Sequence, residues 1–143
     1  MKREKVVYAN LTSNAQEAFN AGKLAGAMAR YGYELTPVRN DDAGADFIAY
    51  RVGEPALLIQ LKGRPTIAKA YEGSKIWMAF PSGDPDSHTM YLVRHSTLMK
   101  IIREKQPRGN AFKTRSWLAT EGTYSTTASW LFEALSKYAL DSD

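Results

Sequence analysis

The sequence contains no cysteine and only two histidines, His88 and His95. Without cysteine there is no disulfide, no thiolate nucleophile and no cysteine-based zinc site, so packing must stabilise the fold. A reducing cytoplasm suits such a chain, and a cytoplasmic location is what we expect. Neither histidine stands in a catalytic pattern, because His88 lies in a loop rich in Ser, Asp and Pro, and His95 precedes a predicted helix start.

Long apolar runs are also missing. No stretch of about 18 apolar residues occurs, and no continuous apolar segment follows the basic residues near the N-terminus. We therefore expect neither export nor a membrane span. With 143 residues, 44% of them hydrophobic and 24% charged, the chain is typical of one folded domain. We predict a single domain over residues 1–143, with a core of about 12–105 and a C-terminal helix over about 127–140.

Acidic residues are scarce in the middle of the chain. Residues 62–115 carry 11 basic and 4 acidic side chains, a net charge of +7, whereas residues 1–61 are neutral and residues 116–143 carry −3. A phosphate-rich partner would be attracted to the middle segment. An ordinary solvated basic surface is the alternative.

The residue pattern predicts an α/β fold with a central mixed sheet of about five strands and helices on its faces. Ser13 and Gln16 have capping-box spacing and open a helix that extends to about Tyr31, with Asn20 on the side opposite its apolar positions. A second helix is predicted to begin at a Ser96 cap, while segment 64–74 fits either a short helix or an irregular strand. The predicted strands are 33–39, 46–52, 56–62, 75–80 and 90–94, with a further one around 116–119.

Two polar features interrupt these apolar elements. Glu17 falls among the apolar positions of the first helix, an unfavourable place for a carboxylate without a partner. Asp46, Gln60 and Lys62 stand in two otherwise apolar strands. Asp42, in the turn before Asp46, is best explained as a turn residue and is only a remote candidate for metal binding.

The register of the hairpin decides whether the polar residues of these strands meet. If Gly53-Glu54-Pro55 is a three-residue loop, Val52 pairs with Ala56 and Asp46 lies opposite Lys62. Gln60 then lies one diagonal step away on the same face. A loop of two or four residues would instead point Asp46 away from both.

In the favoured register a carboxylate, an amide oxygen and an ammonium converge. The two oxygen donors suit Mg²⁺, and the ammonium can hold an attacking water or stabilise charge on a phosphate oxygen. A cross-strand ion pair beside a solvated glutamine is the alternative.

The run Gly44-Ala45-Asp46, followed by Gln60-Leu61-Lys62 and preceded by a helix with Glu17, resembles the PD-(D/E)XK nuclease superfamily, which has the restriction-endonuclease-like fold. The resemblance covers about residues 12–95. It implies that Asp46 is the metal-ligand aspartate, Lys62 the catalytic lysine and Glu17 the first-helix glutamate that many members add. Gln60 occupies a position usually held by an acid, and Ala45 one often held by proline.

The resemblance further implies a Mg²⁺- or Mn²⁺-dependent endonuclease that hydrolyses duplex or branched DNA. Asp46, Gln60 and the backbone carbonyl of Leu61 would bind the metal, with Glu17 assisting through water. A domain this small would be expected to act as a homodimer to cut both strands. Six cations are predicted phosphate contacts: Arg64, Lys69, Lys75, Arg94, Lys100 and Arg103.

Two other interpretations stay open. Because an amide carries no charge, Gln60 is also typical of a catalytically inactive nucleic-acid-binding module that keeps the fold. A protein-interaction domain, in which the polar hairpin residues form ordinary ion pairs, is the third.

Overall fold

A computed structural model describes residues 2–39 and 44–140. Within these residues the protein is α/β, with a mixed six-stranded sheet, a two-stranded sheet and four α-helices. The helices are α1 (Ser13–Ala29), α2 (His95–Lys105), α3 (Arg115–Leu118) and α4 (Ser129–Ala134). The strands are β1 (Glu34–Pro37), β2 (Phe47–Tyr50), β3 (Leu57–Leu61), β4 (Thr66–Ala68), β5 (Trp77–Pro81), β6 (Met90–Arg94), β7 (Thr123–Ser125) and β8 (Ala139–Leu140).

The larger sheet has the strand order β1-β2-β3-β5-β6-β8, in which only β3 and β5 are parallel. The chain crosses from β3 to β5 through β4 and a 3₁₀ turn at Lys69–Tyr71. Segment 64–74 is therefore a strand followed by a helical turn. Strand β4 leaves the larger sheet and pairs with β7, forming the two-stranded sheet.

The six-stranded sheet separates two apolar clusters. On one side, Leu24 and Met28 of α1 pack with Ala49, Ile59 and Ala79. On the other side, residues of α2 and α4 pack against the alternate positions of β5 and β6. The helix residues are Leu98, Ile102 and Leu131, and the strand residues are Met78, Phe80 and Val93. Because side chains alternate along a strand, each face of the sheet has its own cover.

The predicted register of the hairpin, in which Val52 pairs with Ala56, is wrong. Strands β2 and β3 pair Phe47 with Ile59 and Ala49 with Leu57, and Val52 is exposed beyond the end of β2. The chain turns earlier because the carbonyl of Arg51 accepts a hydrogen bond from Glu54 N at 3.1 Å, with Gly53 at φ 82°. The shift from the predicted register is two residues, so the paired residues keep their faces, but Asp46 does not lie opposite Lys62 as predicted.

Helix α1 is capped one residue earlier than predicted. The Thr12 hydroxyl accepts a hydrogen bond from Ala15 N at 3.2 Å, whereas Gln16 donates through its side chain to the carbonyl of Tyr8 at 3.1 Å. The buried face also differs, because Asn20 is buried alongside Leu24. The amide of Asn20 donates to Tyr8 Oη at 3.0 Å, which makes its burial tolerable.

Three expectations for the second half of the chain are corrected. Helix α2 begins at His95, so Ser96 lies within its first turn. The strand expected around 116–119 is the short helix α3, whose cap is the Thr114 hydroxyl. The predicted C-terminal helix is shorter than expected and ends with α4. The chain then forms a 3₁₀ turn at Ser136–Tyr138, and β8 after it pairs with β6 as the sixth strand of the larger sheet.

Over the described residues, no helix combines the length and the apolar character that crossing a bilayer requires.

Candidate active site

A cavity of about 650 Å³ opens between the first half of α1 and the adjoining ends of β2 and β3. Four side chains selected from the sequence line it: Glu17, Asp46, Gln60 and Lys62. The backbone of Leu61 lies in the same wall. One cavity thus brings together the residues that sequence analysis placed in a single site.

Asp46 is fixed just before β2 by two hydrogen bonds to β3. Its backbone N–H donates to the carbonyl of Ile59 at 2.8 Å, and its Oδ2 accepts from the backbone N–H of Leu61 at 2.9 Å. The chain is irregular here, because Ala45 and Phe47 pack into clusters on opposite sides of the sheet. A carboxylate held to the neighbouring strand by a backbone donor keeps one orientation.

Gln60 supplies the least expected feature of the cavity. The residue is 8% exposed, and its Oε1 has no hydrogen-bond partner within residues 2–39 and 44–140. A buried acceptor without a donor costs about 1–3 kcal/mol relative to a satisfied one. Gln60 lines the wall that also contains Asp46, so an amide residue and a carboxylate residue border the same space, while Oε1 itself has almost no exposed surface.

Lys62 and Glu17 complete the cavity from opposite sides. The backbone N–H of Lys62 donates to the carbonyl of Ala79 at 2.9 Å, so β3 remains tied to β5 at this position. Glu17 is exposed on α1 and faces open cavity, which explains why a carboxylate is tolerated on the buried side of the helix.

The donor set fits a hard divalent cation only in part. Asp46, Gln60 and the Leu61 carbonyl are oxygen donors of the kind that Mg²⁺ accepts, and Mg²⁺ commonly keeps several waters. The unpartnered Gln60 oxygen supports this fit. However, no cluster of three or more histidine, aspartate or glutamate side chains with metal-binding geometry occurs in residues 2–39 and 44–140. Asp42 lies outside these ranges.

A second cavity, of about 530 Å³, lies on the other side of Lys62 and has no counterpart in the sequence analysis. Its walls come from β4, the Lys69–Tyr71 turn and the connection from α3 to β7. Residues far apart in the chain form it, and no motif marks the threonines that line it. The lining residues are Lys62, Thr66, Ala68, Lys69, Ala70, Tyr71, Thr120, Glu121 and Thr123.

The six predicted phosphate contacts are spread over the molecule. Lys69 lines the second cavity, and Arg64 is exposed two residues beyond Lys62. The other four line neither cavity: Lys75, Arg94, Lys100 and Arg103. Arg94 pairs with Trp77 at the far end of β5, about 10 Å along the strands from the level of Lys62.

His95 is a structural residue rather than an exposed base. It is fully buried, and its Nε2 accepts a hydrogen bond from Ala68 N at 3.0 Å. Burial lowers the pKa of His95, and the Glu72 carboxylate opposes this to a smaller extent. The neutral imidazole therefore holds β4 against α2. His88 is exposed, as the loop composition predicts.

Comparisons of the chain with protein-family models, with curated proteins and with solved structures give no match.

Proposed function

We propose that the protein is a Mg²⁺-dependent nuclease of the PD-(D/E)XK type, with the restriction-endonuclease-like fold, that hydrolyses DNA phosphodiester bonds. The observation that carries the proposal is the placement of Gln60 and Asp46 in one cavity that Lys62 and Glu17 also line, together with a buried Gln60 Oε1 that no donor among the described residues satisfies. Burying an acceptor without a donor is costly. A cation bound there during turnover would compensate for that cost.

The arrangement of elements supports the proposal and departs from the family pattern in one place. The core that the resemblance implies is a helix, three strands, a helix and a further strand, and helix α1, strands β1 to β3 and the parallel strand β5 follow that order. The connection between β3 and β5 should contain a helix, but it holds β4 and a single 3₁₀ turn. This departure lies beside the second cavity.

Each side chain has a role that its position allows. Asp46, Gln60 and the Leu61 carbonyl would hold the ion, with Glu17 reaching it through water. When bound, Mg²⁺ supplies Lewis acidity and a water of lowered pKa. Lys62 orients the attacking water and stabilises negative charge on the phosphate oxygens.

The first turn of α1 would help to bind the phosphate. Ser13 and Asn14 form part of the cavity wall, and a helix N-terminus carries a partial positive charge. Together with Lys62, this end of α1 offsets the two carboxylates of the cavity.

A catalytically inactive DNA-binding module is the second candidate. The observation that favours it is Gln60 itself, because an amide at this position leaves Asp46 and Glu17 as the only carboxylates that line the cavity among the described residues. A divalent cation binds less tightly as the charge of its ligands falls.

Cleavage of supercoiled plasmid in Mg²⁺ or Mn²⁺ separates the two candidates. We expect the wild type to nick the plasmid and a chelator to stop it. Lys62→Met keeps the aliphatic stem but should lower the rate by about 100-fold or more, with DNA affinity within a few fold of wild type. Asp46→Ala should abolish both activity and Mg²⁺ binding measured by calorimetry.

Lys137→Met is the matched control, since this lysine lies over the Tyr138 ring and lines neither cavity. Its nicking rate should equal that of the wild type. DNA binding that weakens with salt but is never followed by nicking would support the inactive module. Undiminished nicking by Lys62→Met would remove this lysine from the mechanism.

A further inference from the structure

The second cavity adjoins the first at a single side chain. Lys62 lines both, so a phosphate held by its ammonium in the first cavity would have a neighbouring nucleotide directed toward the second. The second cavity also has its own cation, because Lys69 lies in its wall, with its Nζ 5.5 Å from the centroid of the Trp117 ring.

The walls of this cavity are well anchored and combine a mainly apolar surface with three threonines. Strand β4 pairs with β7 along Thr66–Ala68, and the backbone N–H of Lys69 donates to the carbonyl of Gly122 at 2.9 Å. The threonines are Thr66, Thr120 and Thr123; the hydroxyl of Thr66 already donates to the carbonyl of Arg64, and that of Thr123 shares a hydrogen bond with the hydroxyl of Ser116. Hydroxyls both donate and accept, so they suit the mixed edges of a nucleobase or sugar.

A direct contact couples the second cavity to the loop that carries Asp46. Tyr71 lines the cavity, and its ring lies so close to Gly44 that a Cβ at that position would overlap it. The Tyr71 ring also packs edge-to-face against the His95 ring, with 5.6 Å between the ring centroids. A group seated against Tyr71 would therefore press on the segment two residues before Asp46.

The volume of about 530 Å³ fits one nucleotide, since cavities of this size hold single small ligands. A base inside a duplex is stacked on both sides, and moving it into a cavity costs a few kcal/mol. An unpaired nucleotide avoids most of that cost. The cavity therefore favours a strand that is already single next to the cleaved bond.

We propose that the second cavity holds an unpaired nucleotide adjoining the scissile phosphate, which makes DNA with single-stranded extensions or branches the substrate class. This inference rests on the proposed nuclease function. It extends that function by assigning a binding role to β4, β7 and the Lys69–Tyr71 turn, which lie outside the six-stranded sheet.

Metal-free binding measurements test the inference without relying on cleavage. The probes are a short blunt duplex and the same duplex carrying a single-stranded extension, each labelled and titrated by fluorescence anisotropy in EDTA. Wild type should bind the extended probe about tenfold more tightly, the range expected for one seated base. Ala70→Glu places a carboxylate at an exposed position of the cavity wall and should abolish that preference while leaving blunt-duplex affinity nearly unchanged.

Ala25→Glu is the matched control, because Ala25 is exposed on α1 and lines neither cavity. It should keep the full preference. Lys69→Met, which retains the stem packed on Gly122, should reduce the preference as a second variant. Equal affinity of the wild type for both probes, or a preference that survives both cavity variants, would overturn the inference.

The plasmid assay keeps the two proposals apart. A preference for the extended probe without metal-dependent nicking would refute the nuclease and leave the nucleotide cavity standing. Nicking by a wild-type protein that binds both probes equally would do the reverse.

Discussion

Gln60 connects the stability of this protein to its proposed chemistry. The residue is buried, lies in β3 between two apolar neighbours, and keeps an acceptor that no donor in the described chain satisfies. An apolar side chain of similar size would pack in the same space without that penalty. We infer that Gln60 lowers the stability of the fold and serves as a ligand for a cation.

Gln60→Met is expected to raise the free energy of unfolding by about 1 kcal/mol while lowering affinity for Mn²⁺. The gain arises because the unsatisfied oxygen is removed and the volume is kept. Urea denaturation and calorimetry measure the two effects. A loss of stability would show that Gln60 makes a hydrogen bond that supports the fold, which would weaken the case for a cation ligand.

His95 gives the protein a defined dependence on acid. Its pKa is lower in the folded protein than in the unfolded chain, because the imidazole is buried. As pH falls, the unfolded chain is protonated first. The stabilising contribution is therefore fully present above about pH 6.5 and is lost as the pH falls through the lowered pKa of the folded protein.

His95→Gln, which offers Ala68 N a neutral acceptor, should reduce the difference in unfolding free energy between about pH 8 and about pH 5. Urea denaturation at the two pH values measures this difference. His88→Gln is the control, since His88 is exposed, and it should behave as wild type. An unchanged pH dependence in His95→Gln would assign the acid sensitivity to carboxylates instead.

The sequence predicted that Asp46, Gln60 and Lys62 lie close together, but it did not predict the burial and hydrogen bonding of the residues that line the first cavity. Asp46, Gln60 and Lys62 stood out because polar residues interrupt two apolar strands. The burial of Asn20 was missed, since the pattern placed it on the outer face of α1. Its partner Tyr8 comes from an N-terminal turn that carries no helical periodicity.

The segment leading into β2 is the element on which the site geometry depends most. Gly44 has φ 85° and contacts Tyr71, and Asp46 follows two residues later. Gly53, in the turn after β2, has a similar φ of 82° but has open space around it. Comparing substitutions at the two glycines therefore distinguishes the effect of backbone strain from the effect of steric overlap with Tyr71.

Gly53→Ala should cost about 1 kcal/mol of stability, from the left-handed backbone alone. Gly44→Ala should cost more and should also lower the cleavage rate, because the new methyl group displaces either Tyr71 or the loop that carries Asp46. Thermal unfolding and plasmid nicking give the two readouts. Equal effects of the two substitutions would show that the contact with Tyr71 carries no weight.

Helices and strands with strong periodicity could be predicted well, and those set by tertiary pairing could not. α1, α2 and five strands of the larger sheet follow from turn residues and apolar patterns, whereas the predicted caps at Ser13 and Ser96 were wrong. β8 was read as helix because Trp130, Leu135 and Tyr138 continue a helical stripe. The free edge of β6 provides backbone partners for Ala139 and Leu140, and that pairing overrides the local pattern.

Across the complete chain, the charge distribution and the three-dimensional site agree only in part. The basic middle third supplies Lys62 and Lys69, which line the cavities, but the charged groups of Lys69, Arg94 and Arg103 lie over aromatic rings. A count of charges along the sequence cannot distinguish a phosphate contact from a cation–π pair. Only the three-dimensional fold makes this distinction, because the connection from β3 to β5 and the position of α2 determine which rings lie near each basic side chain.

Cation binding between Asp46 and Gln60 is the claim on which the nuclease proposal depends. The most direct measurement is a crystal soaked in Mn²⁺, with anomalous scattering used to locate the metal. We expect a single strong peak in the first cavity, within coordination distance of an Asp46 carboxylate oxygen and Gln60 Oε1, and no such peak in a crystal of Asp46→Ala. A soaked wild-type crystal with no anomalous peak in this cavity would contradict the nuclease proposal.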